Sequence, residues 1–102
     1  MPPSFDVIIA SSALRELNSF KPFARRQIRD AIDRQLPSAP DKPARNRKML
    51  AIEQADFGFN PPLWELRVGN HRVFYDIDSE AQTVYVRAVR VKPPHLTTDQ
   101  VL

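Results

Sequence analysis

The chain contains no cysteine and only two histidines. The first absence rules out disulfide staples, thiolate metal sites and a thiol nucleophile, and the second rules out a histidine-rich metal cluster. No metal or other cofactor is therefore expected. No apolar run approaches the roughly 18 residues of a membrane helix, so no membrane partner is expected either. Met1-Pro2-Pro3-Ser4 lacks the basic and apolar stretches of a secretory leader, which makes the cytoplasm the default expectation. Internal repeats and low-complexity tails are also absent.

What remains is 102 residues, 42% of them apolar, enough for one hydrophobic core and one domain spanning residues 1–102. Fifteen Lys and Arg against twelve Asp and Glu leave a net charge of +3 with His neutral, a mild bias toward acidic or polyanionic partners. The placement of those charges says more than their sum.

Phe5 to Ala10 reads as a short strand, with Ser11 or Ser12 as the N-cap of a helix over residues 13–20 that turns Leu14 and Leu17 inward. Pro22 suits the first turn of a second helix ending near Leu36, with an apolar stripe of Phe23 or Ala24, Ile28, Ala31, Ile32 and Leu36. Its charges pair four apart (Arg26 with Asp30, Arg29 with Asp33, Asp30 with Arg34), as on a solvated face. A proline-rich connector follows, then the basic run Arg45-Asn46-Arg47-Lys48. Met49 to Ile52 reads as a buried turn or a short strand, and Asp56 to Pro62 as a loop.

The last third is the most informative. Leu63 to Val68 and Val73 to Ile77 flank Gly69-Asn70, a two-residue connection of the hairpin-closing kind. The implied register sets Val68 against His71, Arg67 against Arg72, Leu66 against Val73 and Trp64 against Tyr75. Trp64, Leu66, Val73 and Tyr75 then make one apolar face, and two arginines oppose each other on the other. Like charges across a ladder are destabilising, so an anion is expected to offset them, a ligand or a side chain. Glu65 is the one hairpin carboxylate placed to act as a base or an arginine partner. Thr83 to Val91 is apolar on both faces, as an interior strand would be. The fold class is α+β: two N-terminal helices on a small, mostly antiparallel four-stranded sheet, in the order β-α-α-β-β-β.

The face opposite the helices is expected to be a shallow surface bearing Arg67 and Arg72. Arg87, or Arg90 with Lys92, joins it according to register, and Arg45, Arg47 and Lys48 close the rim. Guanidinium groups grip phosphate bidentately at any working pH. Cleaving an RNA phosphodiester without metal needs a base for the 2′-hydroxyl, cations for the phosphorane and an acid for the leaving oxygen. Arg67 and Arg72 suit the cationic role, Lys92 is a candidate base where arginines crowd it, and His95 is the candidate acid or base, because an unperturbed imidazole changes charge near working pH. Arg45, Arg47, Lys48 and Arg90 are the candidate RNA-binding residues.

The order of elements, the hairpin Trp-Glu-Leu-Arg-Val-Gly-Asn-His-Arg-Val-Phe-Tyr-Asp-Ile and the ending Tyr-Val-Arg-Ala-Val-Arg-Val-Lys together resemble the RelE/ParE superfamily of bacterial toxins from type II toxin–antitoxin systems. The resemblance is strongest over residues 63–92 and weak in the connector. It implies a RelE-like fold and a toxin neutralised by a cognate, partly disordered antitoxin. In the RelE branch it also implies metal-free cleavage of mRNA on the ribosome. Arg67 matches one member of that branch's basic pair, while Glu65 occupies the other place. Arg72 matches the arginine after the turn, and Lys92 approximately the last basic position. The branch's C-terminal tyrosine has no counterpart; Thr97 and Thr98 stand there, and His95 is the candidate substitute. The alternative implied by the ParE branch is inhibition of DNA gyrase by binding alone, and a third reading is a non-toxic, degenerate member.

Overall fold

Strand β1 (Asp6–Ile9) leads into helices α1 (Ser11–Ser19) and α2 (Pro22–Gln35), followed by strands β2 (Arg47–Leu50), β3 (Leu63–Val68), β4 (His71–Asp78) and β5 (Thr83–Val91), and a 3-10 turn at Thr98–Val101. The computed structural model describes residues 4–102; Met1-Pro2-Pro3, read above for a leader, lies outside the described residues.

Helix α1 starts earlier than its serines predict. Ala10 N–H donates to Val86 O at 2.9 Å, which ties Ala10 to β5 and lets the helix begin at Ser11 without a side-chain cap. That shifts the buried pair to Ala13 and Leu17, four apart, and leaves the expected inward Leu14 39% exposed. Helix α2 begins at Pro22 and buries Ile28, Ile32 and Leu36, whereas Phe23 lies outside the stripe at 73% exposure. On its solvent face Arg29 meets Asp33 at 3.6 Å and Asp30 turns to Arg34 at 2.9 Å, pairs worth only about 0.3–0.5 kcal/mol each.

The sheet has five strands rather than four, in the order β1-β5-β4-β3-β2, with β1 parallel to β5 and every other pair antiparallel. The additional strand is β2, part of the basic run. An edge strand rich in Arg and Lys lacks the apolar alternation that marks a strand in sequence, because charge keeps such an edge from pairing with other chains. The hairpin register is the expected one, and Gly69 carries the positive φ of the turn, 58°. A register shift opposite Phe74 and Tyr75 leaves Arg87 as an extra residue in β5.

The helices cover one face of the sheet, where Trp64, Leu66, Val68, Val73, Tyr75, Val84, Val86 and Val89 pack against Ala13, Leu17, Ile28 and Ile32. Trp64 stacks on Tyr75, whose hydroxyl donates to Pro40 O at 2.7 Å and pins the proline-rich connector. Burial pushes that phenol above its ordinary range. The opposite face is not the open surface expected. Leu50, Leu63, Phe74 and Ala88 form a second core there, roofed by Ile52, Phe57, Phe59, Val101 and Leu102. The end of that face nearest the Gly69 turn stays open.

Candidate functional site

The open end is built by three elements. The connector delivers Arg45 and Asn46, and Asn46 O accepts the Arg67 N–H at 2.8 Å, which lays the basic run along the edge of β3. Pairing of β2 with β3 places Lys48 across from Glu65, and pairing of β3 with β4 places Arg67 across from Arg72. The chain leaving β5 contributes Lys92, fixed by its N–H to Asn70 O at 2.6 Å, and the 3-10 turn contributes Thr98. These residues line a cavity of about 230 Å³. Arg45, Lys48 and Arg67 are exposed and Lys92 is half-buried, so four cations surround the opening.

The floor of the cavity is a buried ion pair. Arg72 Nε lies 2.8 Å from Glu65 Oε1, with both side chains at least nine-tenths buried. The Nε–H does not point along that contact, so charge rather than an aligned hydrogen bond holds the pair. The other Glu65 oxygen accepts from the Thr98 hydroxyl at 3.0 Å. Arg72 Nη1 donates to Gly69 O and His71 O, both at 2.9 Å, which anchors the guanidinium to its own turn. The anion that the Arg67–Arg72 pairing calls for is therefore a side chain.

Other candidate residues serve elsewhere. Arg47 lines the cavity but turns its guanidinium to Gln35 Oε1 of α2 at 2.7 Å and to Lys42 O at 2.8 Å. Arg90 shares the face with Arg72 but reaches around the sheet edge: Nε meets Glu16 at 3.1 Å, Nη2 and Nη1 meet Asp56 at 2.7 and 3.0 Å, and Nη1 also donates to Val101 O at 3.0 Å. Those bonds, the one to Asp56 first, raise the Arg90 pKa and hold the Asp56 carboxyl below its usual range. Glu16 also accepts the Val89 N–H at 3.1 Å on the β5 edge, beyond the reach of β1. His95 stands in an exposed turn and does not line the cavity. His71, beside the turn, packs edge-on against Phe20 at 4.7 Å, and burial followed by the Arg72 charge lowers its pKa.

Sequence reading passed over Thr98 as a ligand of Glu65. It is set by the 3-10 turn, whose sequence signal is the capping pair Thr97 and Gln100. Among the described residues no three histidine or carboxylate side chains gather as a metal-binding group would. The arrangement can hold an anion at the four rim cations, with a fixed carboxylate–guanidinium pair beneath it.

A family model described as the ParE toxin of type II toxin–antitoxin systems (parDE) matches residues 7–91. A chain of the toxin–antitoxin complex RelBE2 from Mycobacterium tuberculosis shares the fold, with a TM-score of 0.71 and 24% identity over 88% of this chain and 93% of that one. A chain of the archaeal RelE–RelB complex from Pyrococcus horikoshii OT3 does so with a TM-score of 0.60 and 18% identity over 88% of this chain and 97% of that one. None of the curated proteins matches the sequence.

Proposed function

The chain belongs to the ParE toxin family of type II toxin–antitoxin systems, and we propose that it arrests translation by cleaving mRNA on the ribosome. The observation that carries this reading is the cavity, where Arg45, Lys48, Arg67 and Lys92 converge while the one carboxylate present, Glu65, is already engaged by Arg72 and Thr98. Such a cavity is suited to a phosphodiester: Arg67 and Lys92 flank the phosphorane, and Arg45 and Lys48 follow the strand. Fixed Arg72 orients Glu65 and contributes positive charge below the phosphate. His95, at the turn after Lys92, takes the proton of the attacking 2′-hydroxyl and returns it to the leaving 5′-oxygen, on a substrate that the ribosome brings to it. A cognate antitoxin covers the cavity with acidic side chains in this reading, so neutralisation weakens as salt rises.

One observation favours a second reading. The cavity lining holds neither imidazole nor phenol, and a toxin that inhibits gyrase by contact needs no acid–base pair. Expression of the chain without its antitoxin, with mapping of mRNA 5′ ends, separates the two. Cuts within translated codons, falling about 100-fold or more in Arg67→Ala and also falling in His95→Ala, support cleavage. Arrest without new 5′ ends but with impaired supercoiling supports gyrase, and absence of arrest would mean that toxicity has been lost.

A further inference from the structure

Two arginine–carboxylate pairs with a buried carboxylate lie on the face of the sheet away from the helices, and they differ. Arg87 grips Asp76 with two aligned bonds, Nε to Oδ2 at 2.7 Å and Nη2 to Oδ1 at 3.2 Å, the parallel fork expected of a structural pair. Arg72 makes one contact with Glu65, and its Nε–H is left without an aligned acceptor although it is buried. A buried donor in that state costs free energy that a better-placed anion would recover. Both Arg72 Nη1 bonds go to backbone carbonyls, so the guanidinium cannot swing, and its Nε–Nη2 edge is the edge left for an acceptor. Glu65 cannot take that whole edge because Thr98 holds its second oxygen.

We propose that Glu65 is a resident stand-in for the substrate's phosphate, occupying its place on Arg72 until the substrate arrives. The inference rests on the phosphodiester reading of the cavity. An entering phosphodiester takes Arg72 Nε and Nη2 as a fork. The displaced carboxylate keeps its bond to Thr98 and turns toward Lys48, its cross-strand neighbour. Each engagement then begins with an exchange of anions on Arg72, which keeps affinity for stray RNA low. Full seating is left to substrates held by further contacts. Glu65 is thus a residue that sets selectivity, and Thr98 is the tether that determines where it goes.

The test is binding of a fluorescent 2′-O-methyl oligoribonucleotide, which cannot be cleaved, to the full chain over a range of salt. Glu65→Gln should bind about tenfold tighter, with a salt dependence steeper by about 0.7 in slope, as for one more phosphate contact on a single strand. In an Arg72→Ala background the same substitution should gain nothing. Asp99→Asn removes an equal charge away from Arg72 and should gain little. Thr98→Val frees Glu65 to clasp Arg72 with both oxygens and should weaken binding, so the two variants move in opposite directions. A Glu65→Gln gain that persists without Arg72, or that Asp99→Asn reproduces, reduces the effect to net charge and overturns the proposal. Unchanged affinity in Glu65→Gln, while wild type binds with a normal salt dependence, overturns it and leaves the phosphodiester reading standing. If neither protein binds at low salt, both readings fall.

Discussion

Asp76 has no exposed side-chain surface, and its carboxylate is fully engaged by the Arg87 fork and by the Asn60 N–H at 2.9 Å. Asp76→Ala would leave Arg87 facing an apolar void and should cost about 3–5 kcal/mol in urea unfolding. Asp76→Asn retains a polar partner and should cost less. Which arginine meets which carboxylate was only partly legible in the sequence. Glu65 and Arg72 stand on neighbouring strands of one hairpin, so the Gly69-Asn70 turn brings them close before any tertiary packing is known. The Arg87–Asp76 pair depends on a bulge that no composition marks, and Arg90 finds Glu16 far back along the chain. Spacing rules carry no information about partners of that kind.

Among the elements, the 3-10 turn at Thr98–Val101 depends most on one side chain. Arg90 bonds Val101 O and Asp56, lies over the Phe57 ring at 5.3 Å, and so fastens both the turn and the loop before β3 to the sheet. Arg90→Ala should speed amide hydrogen exchange in that turn and around Asp56 at least about tenfold while leaving β3 and β4 protected, since local opening is limited by local contacts. An Arg90 that served chiefly to bind RNA would instead leave exchange in the free protein unchanged. The β3–β4 hairpin and β5 were readable because turn chemistry and apolar alternation act locally. Strand β2 was readable only in its second half, where Met49 and Leu50 fall in a segment read as a turn or a short strand; the place of Arg47 and Lys48 comes from Asn46 O meeting Arg67 N–H. The roof over the second core escaped notice for a related reason: Phe57, Phe59, Val101 and Leu102 come from two segments with no shared period.

For the whole molecule, pH acts in two separate windows. His71 has a folded pKa below 6.5 because burial, followed by the Arg72 charge, disfavours its cation. The unfolded chain therefore binds that proton first. The stability involved is complete above about pH 6.5 and declines as pH falls through that value toward the lower folded one. The melting temperature should drop as pH falls below about 6.5, and His71→Phe, which keeps the contact with Phe20, should flatten the curve there. Asp56 acts in the same direction but lower on the scale. Its depressed carboxyl, held by Arg90, contributes above the ordinary value of 3.8 and is lost below it.

The parallel pairing of β1 with β5 has a consequence for synthesis. Asp6 lies opposite Thr83, so the first strand made waits for the last before it has a neighbour. Until β5 leaves the ribosome, Val7, Ile9 and the inward faces of both helices have no complete sheet to pack on. A frameshift or break in the message upstream of Thr83 would therefore yield a chain without β5, the strand that joins β1 to the rest of the sheet. Such a chain would be an unfolded fragment for proteases to clear, not a weakened version of the protein.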